Sequence, residues 1–420
     1  MTYYKDKVSL LSDSYDNVDL FRLMDKEIIR YHFNKRTKRN IQLTIAMDAN
    51  KEYDVYIDEK NTIYLAYQNL NNDIMLAIIH DDRINKIRLA ETSVNEVYYI
   101  NVVCNDGEPH IFYFRPEKGK AKKYKLYHNY INDKEWIVDV VDEIEVRELL
   151  NPFVVYSTKR EIITAYYDYD IQGEQIYIKS FNFKDNKWGE KIKLTDSENH
   201  KLYVDLICIN NKLHLTYCQY EEGNLIVKYD RFNYVDGHII KEMDEEISNL
   251  GSHQDPTLIY FDNKLWISWI EYEKVYSRYS DDNGNTWSSI YLWKESINKS
   301  IVRYKYSNCD ENNEAIFNYS FGKIKDDIKF IGFGPLENVE EIPLKKKDIY
   351  ETVDRSAQNK DMTIKSEEIR RIVDLIDELN RRILVLEEKM NEYDFQSLTE
   401  RIDYIEDFLS RRSRKFYKMK

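Results

Sequence analysis

Six times along the chain a hydrophobic run, a short polar turn and a second hydrophobic run ending in an aromatic follow one another. The stretches are VYIDEKNTIYLAY ending at Tyr67, VVCNDGEPHIFY at Tyr113, VVYSTKREIITAY at Tyr166, LICINNKLHLTY at Tyr217, LIYFDNKLWISW at Trp269 and SNCDENNEAIFNY at Tyr319. Short apolar or alternating runs broken by Asn, Asp, Gly and Lys predict antiparallel hairpins. After each aromatic comes a third apolar run (IMLAIIHD, YKLYHNYI, IYIKSFNF, LIVKYDRF, VYSRYS, IKFIGFG), then a turn and a short fourth strand.

The aromatics are spaced 46, 53, 51, 52 and 50 residues apart. A period of that size with four strands per unit is the pattern of a β-propeller, in which four-stranded sheets pack face to face around an axis. The segment VSLLSDSYDNVDLFRLMDKEIIRYHFNKRTKRNIQLTI places Phe21 46 residues before Tyr67 and reads as a further copy. The expected fold is an all-β propeller over residues 1–344. It has seven blades with that copy counted, and six if the segment only completes another blade's sheet.

Composition agrees with strands. Glycine (11) and proline (6) are scarce in 420 residues, whereas tyrosine reaches 36, which suits half-buried pleated surfaces and excludes a low-complexity chain. Cys104 and Cys208 end the first strand of their repeats, Cys309 lies close to that point, and Cys218 stands apart. With no CxxC or HExxH spacing, the thiols read as structural, and neither a metal nor a cofactor is expected. The chain opens without a signal-peptide pattern and has no membrane-length apolar run. It is expected in the cytoplasm, or assembled into a particle or surface structure without classical secretion.

One turn stands out. In YSRYSDDNGNTWSS, Tyr276 to Ser289, the residues Ser280, Asp282, Gly284, Thr286 and Trp287 lie where the third and fourth strands must join. Asp282 can accept backbone N–H groups across the turn, Gly284 supplies a positive φ, and Trp287 can plug the blade's core. NYINDKEW before Trp136 and FNFKDNKW before Trp188 are degenerate copies at the same junction. The five residues resemble the Asp-box, or BNR repeat, of the sialidase-like propeller superfamily, as does SHQDPTLIYFDNKLWISW for the first two strands of such a blade. That resemblance implies a propeller and a peripheral, structural box. It also implies an arginine triad, a Tyr/Glu nucleophile pair, an aspartate acid and a Phe/Tyr-Arg-Ile-Pro string if the chain were a sialidase. The nearest string is Phe114-Arg115-Pro116, one residue short and in the third unit. The triad has no assignable positions, so no catalytic residue is named.

Crossings from one blade's fourth strand to the next blade's first bring Tyr98, Glu198, His200, His253, Asp255 and Arg303 toward one mouth of the ring, as candidate ligand contacts. His253 with Asp255 invites a dyad reading, although an Asp before Pro256 is also a common turn starter.

Beyond Pro343 the pattern changes. Residues 345–365 read as a linker, and residues 366–412 as helical. Ser366, Glu367 and Glu368 suit a helix start, and Ile369, Ile372, Ile376, Leu379, Ile383, Leu386, Met390 and Tyr393 repeat at coiled-coil spacing. Isoleucine at a with leucine at d predicts a parallel dimer, while isoleucine at both positions of the first heptad leans to a trimer. A helix packed on the propeller is the alternative, since Leu375, Leu384 and Val385 widen the apolar face. The tail 413–420 is basic: the last ten residues carry six basic groups, against a net charge of −13 for the whole chain. An acidic body is a poor partner for nucleic acid or membranes, so any such contact is confined to the tail.

These features predict a non-catalytic binding or scaffold propeller on an oligomerising coiled-coil stalk, with a glycan or protein ligand and part of a surface or particle assembly. The alternative is a divergent sialidase-like glycoside hydrolase acting at the propeller centre.

Overall fold

The computed structural model describes residues 7–80, 83–89, 96–147, 150–235, 238–309, 315–323 and 328–345. The chain divides into two compact units, Met1–Lys345 and Lys346–Lys420. The heptad stripe, the basic tail and all of the expected linker but Lys345 lie outside the described residues.

The apolar runs form strands in seven sequential groups. They are β1–β4 (Val8–Ser12, Val18–Met24, Glu27–Phe33, Asn40–Ala46), β5–β8 (Ala49–Ile57, Ile63–Asn69, Ile74–His80, Arg83–Arg88) and β9–β12 (Tyr98–Asn105, Glu108–Pro116, Lys123–Asn132, Glu135–Glu145). Next come β13–β17 (Val154–Ser157, Glu161–Asp170, Gly173–Asn182, Lys187–Trp188, Ile192–Lys193), β18–β21 (Lys201–Ile209, Lys212–Glu221, Asn224–Val235, His238–Glu246) and β22–β25 (His253–Phe261, Lys264–Glu271, Lys274–Ser280, Ile290–Trp293). The last group is β26–β28 (Val302–Asn308, Tyr319–Lys323, Lys329–Ile331), followed by β29 (Val339–Ile342).

Within each group, successive strands pair antiparallel from the first strand outward, except that β17 pairs with β15 and not with β16. The marker aromatics Phe21, Tyr67, Tyr113, Tyr166, Tyr217, Trp269 and Tyr319 all lie on second strands. Those strands are covered on both faces, which is why β6 reads IYLAYQN with every residue buried rather than alternating with polar positions.

The cores lie between sheets. Phe21 and Leu11 of the first group pack with Tyr53 and Leu65 of the second, Tyr64 with Val102, and Phe112 with Phe181. Ile163 meets Leu206, Ile207 meets Leu258, Ile259 meets Phe321, and Tyr304 returns to Leu10. Each group thus shares a core with the next, and the last shares one with the first. This is a closed, propeller-like ring.

Seven groups make only six sheets, because the first and last are fused. Their innermost strands pair in parallel, Val8 opposite Tyr304 through Ser12 opposite Asn308. β29 turns back to pair antiparallel along the outer edge of β25, from Trp293 opposite Val339 to Ile290 opposite Ile342.

Candidate functional site

Because all first strands run the same way around the axis, the ring has two unlike ends: one where first strands begin and one where they finish into hairpins.

At the beginning end, β9, β18 and β22 each shift register against their partners. Tyr99, Tyr203 and Asp255 take left-handed φ values of 57°, 59° and 51° in these bulges. Further along, near their midpoints, the inner strands are tied by buried acids. Asp54 Oδ2 accepts the Val102 amide of the next blade at 2.6 Å and holds the Lys305 ammonium, which also donates to Asn101 at 3.3 Å. Asp205 Oδ2 accepts Leu258 N at 2.9 Å and Thr257 Oγ1 at 3.0 Å. Burial raises the Asp205 carboxyl above its ordinary pKa.

Of the six crossing residues, the ring brings together Asp255 and Arg303, 3.5 Å apart, with the guanidinium 3.9 Å from the centroid of the Tyr319 ring. His253 is buried and turned elsewhere, with Nε2 2.6 Å from the Asn249 carbonyl and Nδ1 3.9 Å from Glu271. It makes no dyad with Asp255. His200 meets Arg147 at 3.3 Å. Tyr98 lies edge-on to Tyr124, and Glu198 is exposed.

The large concavity is at the other end. A cavity of about 640 Å³ opens among the finishing ends of β5, β9, β13 and β26. Tyr56, Tyr156, Tyr306 and Phe317 give it aromatic walls, and Ser157, Thr158, Ser307, Asn308 and Asn318 give it neutral polar groups. Asp58, Glu59, Asp106 and Lys159 supply its charges. None of the six crossing residues lines it.

The walls are braced. Tyr306 stacks on Phe317 with centroids 4.7 Å apart, and the Tyr156 hydroxyl donates to Cys208 O at 3.1 Å. The Tyr64 hydroxyl, 3.1 Å from Asp58 Oδ2 and 2.8 Å from Gly107 O, ties two hairpins together. The Ile57 amide donates to Ser307 Oγ at 3.3 Å. Cys104, in the lining, is pushed up to about 12 by burial and by the neighbouring Asp58, so it is a protonated thiol and a poor nucleophile. Among the described residues no group of His, Cys, Asp and Glu could hold a metal.

A signal for this cavity did exist in the sequence. Tyr56, Tyr156 and Tyr306 all sit near the end of a first strand, just before a polar hairpin.

The Ser280–Trp287 turn sits on the same face but at the circumference, between β24 and β25. Ser280 Oγ accepts Gly284 N at 2.7 Å and donates to Asp282 Oδ1 at 2.8 Å, while Asp282 accepts Thr286 N at 2.8 Å and Thr286 Oγ1 at 2.7 Å. These donors hold Asp282 down to about 2. Gly284 has φ +87°, and a Cβ there would lie 2.1 Å from the Tyr229 hydroxyl oxygen. Trp287 packs edge-on against Tyr229, and Arg231 donates to Asn283 O at 2.6 Å and Asn285 Oδ1 at 2.9 Å. The turn therefore clips its blade to the preceding one. Trp188, in a degenerate copy, likewise packs across blades on Phe112 and His128.

No family model and no curated protein matches the chain. Several solved structures are similar. AofleA from Arthrobotrys oligospora shares 11% identity over 71% of this chain and 88% of its own, with a TM-score of 0.41. The SapL1 lectin in complex with alpha methyl fucoside shares 8% over 68% and 95%, at 0.38. An ulvan lyase from a new family of polysaccharide lyases shares 13% over 76% and 95%, at 0.47. Such scores define no kinship, and the fold rests on the strand pairing above.

Proposed function

We propose that this chain is a non-catalytic recognition module that binds a glycan in the cavity at the hairpin end of the ring. One observation carries the reading: aromatic walls and neutral hydroxyl and amide groups converge there from four blades. Flat rings match the C–H faces of a sugar, and Ser, Thr and Asn groups can both donate to and accept from its hydroxyls. The acids deeper in the ring serve the fold, since Asp54 is matched by Lys305 and Asp255 by Arg303. Sialidase-like kinship is a proposal carried by the Ser280–Trp287 turn alone. Association through the heptad stripe is a second one, by which several weak sites on one assembly would gain avidity.

The test is binding of the full chain to an immobilised array of oligosaccharides, repeated with Tyr306→Ala. Retention of a sugar by the native chain and its loss in the variant, with no release of reducing ends or unsaturated uronate, is the expected result. Turnover of any array sugar would establish the hydrolase or lyase alternative.

A further inference from the structure

The cavity's charges narrow the ligand further, on the premise that it is the glycan site just described. Among the described residues no arginine lines the cavity, and Lys159 is the cationic group that does, against the carboxylates of Asp58, Glu59 and Asp106. A carboxylated sugar is recognised best by a guanidinium fork, which replaces its lost water with two aligned donors. Of the four strands that finish at the cavity, β26 carries an arginine, Arg303, and it is engaged by Asp255 and Tyr319. It also lies five residues before Asn308 on the same strand, about 16 Å away at the rise of extended chain.

Asp58 itself is buried and turned inward, with Oδ1 accepting the Lys60 and Thr62 amides at 2.9 and 2.8 Å. Lys60 approaches the rim beside Gly107 without lining the cavity. Glu59 and Asp106 are exposed, one at the tip of each of two neighbouring hairpins, while the exposed Lys159 and Arg160 lie together on the separate β13–β14 hairpin. A carboxylate entering between those tips meets like charge and leaves water for a wall with no fork to receive it. Such repulsion costs the wrong ligand more than any contact favours the right one.

We infer that the cavity selects uncharged glycans and rejects those bearing uronic or sialic acid. The selection is made by the two acidic hairpin tips together with the neutral hydroxyl and amide floor.

An array of neutral oligosaccharides, each beside its carboxylated counterpart (lactose with sialyllactose, cellobiose with its uronic acid), tests this with the full chain. Neutral members should bind, and each acidic counterpart should bind roughly tenfold more weakly at low salt, a gap that shrinks as salt screens the tips. The double variant Glu59→Gln, Asp106→Asn should narrow the gap between neutral and acidic members. Both residues are exposed, and Asn tolerates the φ of +48° at position 106. Acidic counterparts binding as well as or better than neutral ones would overturn the selection while leaving sugar binding intact. A gap that the double variant does not narrow would remove the tips as its cause. No binding by any member would overturn the glycan reading, and this inference with it.

Discussion

Two stretches of the same strands are used in opposite ways. Along the inner strands, below their finishing ends, acids, a lysine and an arginine from different blades find one another, as Asp54 does with Lys305 and Asp255 with Arg303. Where those strands finish, tyrosines brace the walls against neighbouring blades, and about 640 Å³ is left open. Charge buried between strands must be neutralised where it lies. Aromatic side chains can be satisfied by the wall behind them and leave a hollow in front.

The sharpest way to break this comparison is at the buried ion pair. Lys305→Met leaves Asp54, 1% exposed, without its counter-charge, and should cost ~3–5 kcal/mol. Asp54→Asn in the same chain should recover part of that loss in urea denaturation. A single variant as stable as the native chain would show that the ion pair does not hold the inner strands together.

Acid should act nearer the cavity. His110, three residues beyond Gly107 of the cavity rim, faces His128 with ring nitrogens 2.9 Å apart inside a cage that includes Phe112, Tyr130 and Phe181. Burial lowers His110 from 6.5 to about 4, and lowers His128 as well. The unfolded chain therefore binds protons that the folded chain refuses. The pair's contribution to stability is fully present above pH 6.5 and should fall as pH drops toward about 4, by up to ~1.4 kcal/mol per pH unit for each ring. His110→Phe should flatten that slope in denaturation series across the window, and an unchanged slope would assign the titration elsewhere.

The smallest effect is expected near the start of the inner strands. Asp255 and Arg303 are 22% and 20% exposed, so Asp255→Asn should cost only ~0–1 kcal/mol. A loss comparable to that of Lys305→Met would erase the distinction between the two ion pairs.

The repeat was legible because strand pairing is local. Each marker aromatic is fixed by the hairpin that contains it, so Tyr67 through Tyr319 could be placed on second strands from the pattern alone. The cavity was not legible in the same way. Tyr56, Tyr156 and Tyr306 are 100 and 150 residues apart, and nothing local tells which end of a repeat stays open. The six crossing residues were chosen by the symmetric argument at the opposite end. Ring closure was hidden too, because the pairing of Val8–Ser12 with Tyr304–Asn308 joins the two extremes of the described fold and no periodicity reports it. Nor does VEEI announce itself as an edge strand, since its partner β25 lies far back in the sequence.

That last strand has a mechanical meaning. A load applied at Lys345 falls first on the Asn249 contacts to Pro343 O and Lys345 N, then on a four-residue strand laid against β25. The seam between β1 and β26 lies elsewhere on the ring and takes none of that first strain. A tether leaving at Lys345 would therefore load the edge of the β22–β25 sheet before it loaded the seam that closes the circle.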